Sequence, residues 1–260
     1  QVSPFHIDRE GAGQAILVGL PNTGKSALVE ALTNAEPEVS ASPFSTWTPT
    51  PGMMTIENIQ VQLIDTPPLN PEFIKPEMMN LIRSTDLLLI VVDLQAFPIE
   101  QLEEAVELLE EHRIIPAHLR DQYPDRFDLA FVPTIVIANK CDEAAHDEDF
   151  EVLQELMESD WPVMPVSAVT GRHVDRFKQT VFDRLEIVRI YAKPPGKDAD
   201  LSEPFVMRRG GTVLEFAGKV HRDFLQTLKS ARVWGTGVYD GQAVGRDHIL
   251  HDGDIVELRT

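Results

Sequence analysis

An eight-residue segment near the amino terminus has the residue types of a phosphate-binding loop. Residues 19–26 read GLPNTGKS and fit the spacing G-x-x-x-x-G-K-[ST]. The glycines let the backbone curl so that consecutive N–H groups face phosphate oxygens at the positive end of a helix. Lys25 is placed to reach the β- and γ-phosphates, and the Ser26 hydroxyl can ligate Mg²⁺. A strand predicted at residues 14–20 and a helix predicted at residues 25–33 supply the context that separates this motif from a chance glycine-rich turn.

A second motif, NKCD at residues 139–142, follows a strand predicted at residues 134–138. It therefore lies at the carboxyl edge of the sheet, where open α/β folds bind ligands. The Asp142 carboxylate can accept hydrogen bonds from guanine N1–H and N2–H₂, a pair of donors that adenine lacks. We expect Asn139 to support this loop and Lys140 to lay its methylenes along the base. Alone, the pattern could also be a helix-capping turn.

The segment Ser167-Ala168 follows the next predicted strand and can offer a backbone N–H to guanine O6. Together with the phosphate loop it makes guanine the favoured base. Cys141 is the variable position of its motif, and we interpret it as a packing residue rather than a nucleophile. The residues expected to bind the nucleotide are Gly19, Pro21, Asn22, Thr23, Gly24, Lys25, Ser26, Ala27, Asn139, Lys140, Asp142, Ser167, Ala168 and Val169.

A metal site is predicted from DTPP at residues 65–68, which follows a predicted strand. Asp65 is placed to hold Mg²⁺ through a water molecule. The proline-punctuated residues 43–52 have no helical periodicity, and one hydroxyl there should close over Mg²⁺ and the γ-phosphate. We choose Thr46, with Ser45 and Thr48 as rivals. The expected Mg²⁺ ligands are therefore Ser26, Thr46 and Asp65, and the expected catalytic residues are Lys25, Thr46 and Asp65.

The elements that must hold these motifs alternate between strand-like and helical patterns. Apolar runs that predict strands lie at residues 14–20, 59–64, 86–92, 134–138 and 162–166. A helix predicted at residues 99–112 has an apolar face of Ile99, Leu102, Val106 and Leu109. This alternation predicts an α/β domain whose mostly parallel sheet is covered by helices. The glutamates opposite the apolar face are interpreted as solvated surface rather than as a docking site.

Charge divides the chain into two parts. The net charge is −19, and residues 1–201 hold 15 basic and 34 acidic side chains, whereas residues 202–260 hold eight of each. The acidic excess argues against non-specific nucleic-acid binding over most of the surface. A proline- and glycine-containing linker is predicted at residues 194–202, between a first domain at residues 1–193 and a second at residues 203–260.

Hydropathy and cysteine content indicate where in the cell the protein is expected. No apolar run approaches the ~18 residues that a membrane span needs. The single cysteine excludes a disulfide framework and favours a reducing compartment. We therefore expect a cytoplasmic protein without membrane contact.

As a set, these motifs resemble the Obg/DRG-type P-loop GTPases of the translation-factor class. The resemblance rests on GLPNTGKS, on the pattern PFxTxxPxxG at residues 43–52, on DTP at residues 65–67 and on NKCD. Near the carboxyl terminus, VWG, QAVG and DHILHDGD resemble the TGS domain that ends the DRG-type proteins. The resemblance implies a Ras-like GTPase domain followed by a small α+β β-grasp domain. It also implies GTP and GDP binding, Mg²⁺-dependent GTP hydrolysis and contact with the ribosome or RNA.

For the β-grasp domain, the residue patterns predict short helices and strands. The helices are expected at residues 212–219 and 223–229, and the strands at residues 205–207, 232–234 and 255–258. A modest set of cations accompanies Trp234 in this domain: Arg208, Arg209, Lys219, Arg222, Lys229 and Arg232. Aromatic stacking among cations can hold single-stranded RNA, but a tryptophan in an apolar strand is more often a core residue.

Three departures from the family pattern bear on mechanism. Pro68 replaces a glycine whose N–H senses the γ-phosphate in this class, and proline has no N–H. Leu69 stands where Ras-like enzymes carry the glutamine that orients the attacking water, which implies slow intrinsic hydrolysis. The DRG-type insert between the DTP and NKCD motifs is missing. Asn22 matches relatives in which this residue coordinates K⁺ beside the β–γ bridge; alternatively it only braces the loop.

These features favour a slow GTPase that acts as a conformational switch. Pro68 favours an alternative, a non-switching nucleotide-binding module whose TGS domain recognises a partner. A pure RNA-binding adaptor comes third, because the first domain is acidic. The sequence does not identify a protein partner.

Overall fold

The structure is a computed structural model that describes residues 3–33, 48–157 and 161–260. The chain divides into two compact units, one formed by Gln1–Ile56 and Gln60–Arg184 and the other by Glu57–Ile59 and Leu185–Thr260. Within the described ranges, no helix is both long enough and apolar enough to cross a membrane.

The first unit is an α/β structure. Its strands are β1 (Gln14–Val18), β2 (Thr50–Ile56), β3 (Ile59–Asp65), β4 (Leu87–Asp93), β5 (Ile114–Pro116), β6 (Ala130–Val132), β7 (Thr134–Asn139) and β8 (Val163–Pro165). Its helices are α1 (Lys25–Leu32), α2 (Pro76–Arg83), α3 (Pro98–Glu111), α4 (Ala144–Leu156) and α5 (Val174–Leu185), with a short 3₁₀ helix at Ala117–Gln122. In the described part of the chain, six strands form one sheet in the order β2-β3-β1-β4-β7-β8, and β5 pairs with β6 separately.

Parallel pairing dominates this sheet, as the alternating pattern predicted. β1 pairs in parallel with β3 and β4, and β7 pairs in parallel with β4 and β8. Every residue of β1 is buried, and Leu87–Val92 of β4 is buried throughout. Strands buried on both faces need helices on both sides. All five predicted strands, the helix after the phosphate loop and the helix near residues 99–112 are confirmed. The strands β2, β5 and β6 and the helices α2, α4 and α5 were not predicted.

The parallel arrangement determines where the site forms. Because β1, β3, β4 and β7 run in the same direction, the loops that follow them all leave the same edge of the sheet. These loops carry the phosphate loop after β1, the DTPP segment after β3 and the NKCD segment at the end of β7. Sheet topology therefore brings together motifs that lie more than a hundred residues apart in the sequence.

The second unit has the β-grasp arrangement. Its elements are β9 (Ile187–Ala192), β10 (Phe205–Arg208), α6 (Val213–Val220), α7 (Phe224–Thr227), β11 (Ser230–Trp234), β12 (Gln242–Val244) and β13 (Ile255–Arg259). The strands form a mixed sheet in the order β10-β9-β13-β11-β12, in which β9 and β13 are parallel. Phe216 of α6 packs with Ile190 and Val256 in a core of its own. The two predicted helices and three predicted strands of this unit are confirmed to within two residues at each end.

The division between the units lies earlier than the sequence predicted. The first domain was expected to extend to residue 193, but Leu185 already belongs to the second unit. The reason is β9, which pairs antiparallel with β10 and parallel with β13. No strand was predicted at Ile187–Ala192, so the linker composition was the only sequence guide to the boundary.

Candidate functional site

The phosphate loop connects β1 to α1 through a backbone that only small or permissive residues adopt. Asn22 and Gly24 both have left-handed backbone, with φ of 67° and 78°. A Cβ atom on Gly24 would lie 2.5 Å from Asn139 Nδ2, and one on Gly19 would lie 2.8 Å from the Val91 carbonyl oxygen. Close packing against β4 at Gly19 and against the NKCD segment at Gly24 therefore requires glycine at both positions.

Lys25, Ser26 and Asp65 converge at the start of α1. The Lys25 side chain is buried, and its Nζ donates to the Asp65 carboxylate and to the Thr66 carbonyl oxygen. Ser26 Oγ donates to Asp65 Oδ2 at 2.8 Å. A hydroxyl and a carboxylate in contact are the hard oxygen donors that Mg²⁺ prefers, so this pair fits a magnesium ion.

The remaining predicted magnesium ligand cannot be placed. Thr46 and its rival Ser45 lie outside the described residues. Thr48 is described and exposed, and within the described residues it makes no hydrogen bond to Ser26 or Asp65. Thr46 therefore stays a prediction.

The NKCD loop is attached directly to the phosphate loop. Asn139 Nδ2 donates to the Thr23 carbonyl oxygen at 2.9 Å, and Lys140 Nζ donates to the Asn22 carbonyl oxygen at 2.9 Å. Lys140 Nζ also donates to Asp93 Oδ2 at 2.7 Å, so the tip of this side chain is held by two acceptors. The residues predicted to bind phosphate and those predicted to bind the base thus form one connected surface.

The third segment completes this surface. Ser167 Oγ donates to Asp142 Oδ1 at 2.6 Å, and the Ala168 amide donates to Asn139 Oδ1 at 3.2 Å. Asp142 is thereby oriented by Ser167, which is fully buried. Pro21, Ala27 and Val169 are exposed beside these loops, and their contacts with a nucleotide stay predictions.

The structure also shows a cluster that the sequence did not reveal. Arg172 Nη1 donates to the carbonyl oxygens of Cys141 and Glu143, at 3.0 and 2.6 Å, and its Nη2 donates to Asp147 Oδ2 at 2.6 Å. His173 Nε2 lies 3.0 Å from the other Asp147 oxygen. No sequence signal marks such contacts, because two of the acceptors are backbone carbonyls.

Electrostatics within this cluster favour a hydrogen-bond network over a metal site. Possible ligand atoms of Cys141, Asp147 and His173 lie within 4.8 Å of one another. However, hydrogen bonds from Arg172 and His173 hold the pKa of Asp147 well below its usual range. Burial, followed by the hydrogen bond to Asp147, raises the pKa of the Cys141 thiol to about 11. A neutral thiol and a resident guanidinium leave no room for a cation, and Cys141 packs in the core as expected.

The segment after Asp65 departs from what γ-phosphate recognition needs. Pro67 and Pro68 have no N–H, and the Leu69 amide donates to the Gly19 carbonyl oxygen at 2.8 Å. The Leu69 side chain is buried in the core rather than facing the site. These three residues consequently have neither a spare backbone donor nor a polar side chain for the end of the nucleotide.

In the second unit, the predicted basic side chains are all exposed: Arg208, Arg209, Lys219, Arg222, Lys229 and Arg232. Trp234 is only partly buried, so it is not the core residue that its apolar strand indicated. Its ring lies 5.2 Å from Lys193 Nζ, at the distance of a cation–π contact.

Family models match both units. A model described as a 50S ribosome-binding GTPase matches residues 14–120, and a TGS domain model matches residues 188–260. An uncharacterized GTP-binding protein of Methanocaldococcus jannaschii is 30% identical, over 98% of this chain and 80% of its own.

Two further relatives carry more specific names. Developmentally-regulated GTP-binding protein 1 of Xenopus laevis and ribosome-interacting GTPase 1 of Saccharomyces cerevisiae are 26% and 24% identical, each over 98% of this chain and 84% of its own. Their alignments extend over 313 and 314 positions, more than the 260 residues of this chain, which agrees with a segment missing here.

Solved structures support the fold of the whole chain. A GTP-binding protein from Pyrococcus horikoshii has a TM-score of 0.64 at 18% identity, covering 95% of this chain and 99% of its own. The YchF GTPase of Schizosaccharomyces pombe has a TM-score of 0.62 at 12% identity, with coverage of 97% and 99%.

Proposed function

The chain belongs to the DRG family of GTP-binding GTPases that end in a TGS domain, and from this premise we propose that it is a slow, Mg²⁺-dependent GTP hydrolase that acts as a conformational switch and contacts the ribosome or RNA. The observation that carries the nucleotide assignment is the attachment of the NKCD loop to the phosphate loop. Asn139 and Lys140 bond two successive carbonyl groups of the phosphate loop, those of Thr23 and Asn22. Two loops in direct contact suit a ligand whose base and phosphates are bound at the same time.

Each predicted group has a distinct task. Asp142 selects guanine by accepting from its N1–H and N2–H₂ edge, because a base without those donors would leave the carboxylate unpaired. Lys25 neutralises charge that develops on the phosphates, and Ser26 and Asp65 would hold the magnesium ion. When bound, Mg²⁺ supplies further charge neutralisation. The buried Leu69 provides no group that orients water, which supports a slow intrinsic rate.

Phosphate release under single-turnover conditions tests this proposal. The full chain is mixed with GTP or with ATP, in Mg²⁺ or in excess chelator. We expect slow release from GTP that requires Mg²⁺ and none above the spontaneous rate from ATP. Release from GTP that never exceeds the spontaneous rate, with the protein saturated, would remove the hydrolase part of the proposal.

A second candidate function is a nucleotide-binding module that does not switch. It is favoured by the segment Pro67–Pro68–Leu69, whose only amide hydrogen is bonded to the Gly19 carbonyl oxygen. Equilibrium affinities for GDP and for a non-hydrolysable GTP analogue, in Mg²⁺ and K⁺, separate the two candidates. Different affinities favour the switch. Equal affinities mean that the γ-phosphate supplies no net bias between states, which favours the module.

Ribosome or RNA contact is supported by the exposed cations of the second unit, such as Arg208, Arg209 and Arg232, and by the name of the yeast relative. Co-sedimentation with ribosomes, with Arg208 and Arg209 both changed to Glu, tests this part. We expect weaker binding in the variant, and binding that depends on the nucleotide if the protein is a switch. Equal binding in every nucleotide state favours an RNA-binding adaptor.

A further inference from the structure

We propose that Arg172 is a positioning residue for guanine discrimination, which holds Asp142 at the angle needed to accept two hydrogen bonds from the base. The proposal rests on the proposed function in one respect, the assignment of Asp142 to guanine. The Arg172 guanidinium itself donates to none of the residues expected to bind the nucleotide. It acts through the backbone on either side of Asp142.

The contacts of Arg172 bracket Asp142. Its guanidinium donates to the carbonyl oxygens of Cys141 and Glu143, the residues immediately before and after Asp142. The two peptide units that flank Asp142 are thus tied to one rigid, planar group. Rotation of either peptide would tilt the Asp142 side chain relative to the base.

Arg172 is itself held at two points, its Nη2 atom and its backbone carbonyl oxygen. Asp147 accepts from Arg172 Nη2 at 2.6 Å, and His173 lies 3.0 Å from the other oxygen of the same carboxylate. The Arg172 carbonyl oxygen accepts from the Ser167 amide at 3.0 Å. Since Ser167 Oγ donates to Asp142, the loop that carries Arg172 fixes Asp142 from the side-chain end as well.

A lysine at position 172 cannot make the same set of hydrogen bonds. The guanidinium offers five N–H donors in a fixed plane, and here three acceptors on different peptides and side chains use two of its nitrogens. An ammonium group is a point charge on a flexible stem, so it can neutralise Asp147 without fixing both carbonyls. Lysine at position 172 therefore keeps the charge and removes the geometric constraint.

Loss of the constraint should affect guanine more than hypoxanthine. Guanine needs both oxygens of Asp142 in register with N1–H and N2–H₂, whereas hypoxanthine has only the N1–H donor. A tilted carboxylate can still make one hydrogen bond but not two well-aligned ones, because hydrogen bonds weaken steeply with misalignment. The ratio of GDP to IDP affinity consequently reports the angle of Asp142, and general destabilisation of the fold lowers both affinities together.

The test uses calorimetric titration of the full chain with GDP and IDP. The variants are Arg172→Lys and Asp147→Asn, and Arg176→Lys on the exposed side of α5 is the matched control. We expect the preference for GDP over IDP to fall about tenfold in Arg172→Lys, the effect of one charge-assisted hydrogen bond. Asp147→Asn should shift the ratio in the same direction by less, and Arg176→Lys should leave it unchanged. An unchanged ratio in both Arg172→Lys and Asp147→Asn, or equal losses for GDP and IDP, overturns the proposal.

Two further measurements separate failure of this proposal from failure of the guanine assignment. If the unaltered chain binds GDP no better than IDP, the assignment of Asp142 itself is wrong. If Asp142→Asn moves the preference from GDP to XDP while Arg172→Lys changes nothing, the assignment holds and the role of Arg172 does not. Alkylation of Cys141, the single cysteine, provides a second readout of loop opening, and we expect Arg172→Lys to be modified faster than Arg176→Lys at pH 8. Equal alkylation rates in the two variants would contradict the proposal that Arg172 holds the peptides on either side of Asp142.

Discussion

The base end and the phosphate end of the first unit differ in how completely the chain supplies their contacts. At the base end, formed by residues 139–142 and 167–168, Asp142 is fixed by Ser167 and Asn139 is fixed at both its amide atoms. At the phosphate end, formed by residues 19–26 and 65–69, Lys25 and Asp65 meet, but residues 67–69 have no amide hydrogen to spare. The residues of the base end thus hold one another in place by hydrogen bonds, whereas at the phosphate end residues 67–69 leave no amide hydrogen free for a nucleotide.

This difference separates two properties that usually occur together in GTPases. In the proposed assignment, recognition of the guanine base depends on side chains that already bond one another and not on residues 67–69. The resemblance assigns sensing of the γ-phosphate to a backbone donor at that segment, and Pro67 and Pro68 have no N–H. From the proposed assignment we therefore expect selective binding of guanine nucleotides with little distinction between GTP and GDP.

The largest expected effect comes from the contact that both GDP and GTP share at the phosphate end. Lys25→Ala removes the cation that faces the phosphates, and we expect affinity for both nucleotides to fall at least a hundredfold, in line with the loss of one preorganised charge contact. Fluorescence titration with labelled GDP and labelled GTP analogue measures both. Lys197→Ala, an exposed lysine of the predicted linker, is the control. A loss under tenfold would show that the base end alone supplies most of the affinity.

The next effect tests whether the two ends are mechanically joined. Gly24→Ala places a Cβ atom 2.5 Å from Asn139 Nδ2 at a residue with φ of +78°. We expect affinity for GDP and GTP to fall about thirtyfold, because the new atom displaces the amide that bonds Thr23.

Gly196→Ala is the matched control, since Gly196 has φ of +72° and nothing within 4 Å of the added atom. Melting temperature should fall in both variants from backbone strain alone. Nucleotide affinity should fall only in Gly24→Ala, and equal affinities in the two variants would refute the mechanical link.

A smaller effect is expected where the phosphate end is incomplete. Pro68→Gly returns an N–H to the position at which related GTPases carry glycine, while the Leu69 amide remains bonded to Gly19. We expect affinity for the GTP analogue to rise about tenfold relative to GDP, the gain of one hydrogen bond to a charged group. Calorimetric titration with both nucleotides measures the ratio. Pro195→Gly, an exposed proline, should leave it unchanged, and an unchanged ratio in Pro68→Gly would show that this segment does not approach the γ-phosphate.

Much of the fold was predictable because it rests on strong local patterns. The apolar run of β4 and the GLPNTGKS segment each carry a signal that few other structures produce. β2 was not predictable in this way, since Thr50–Ile56 reads TPGMMTI and both proline and glycine are unfavourable in strands. α5 buries Phe177, Val181 and Phe182 at helical spacing, so its sequence does contain a detectable signal.

The residues of the candidate site also differ in how much the sequence reveals about them. Lys25 and Asp142 were singled out from residue type and spacing, and their contacts with a nucleotide stay predictions. Arg172 was not singled out, because two of its three acceptors are backbone carbonyls and any residue can provide those. Asp147 was hidden for a similar reason, as an acidic residue among the many acidic residues of α4. Contacts that orient a functional residue leave less trace in the sequence than the functional residue itself.

The smallest expected effect concerns the charge that develops at the phosphate end during hydrolysis. Asn22 is exposed, and within the described residues its side chain makes no hydrogen bond, so its amide oxygen is available to a monovalent cation. We expect single-turnover hydrolysis to be about threefold or more faster in K⁺ than in Na⁺, because a cation there neutralises developing charge in place of an arginine.

In the Asn22→Gly variant, the difference between the rates in K⁺ and in Na⁺ should disappear. Glycine suits this change because it adopts φ near 67° without strain and keeps the carbonyl that bonds Lys140. Equal rates of the unaltered chain in the two salts, at saturating nucleotide, would leave Asn22 as a brace for the loop, whereas a difference that persists in Asn22→Gly would place the cation elsewhere. If the expected difference appears and Pro68→Gly still leaves the GTP-to-GDP ratio unchanged, the phosphate end completes itself with a cation during the reaction rather than with a backbone donor beforehand.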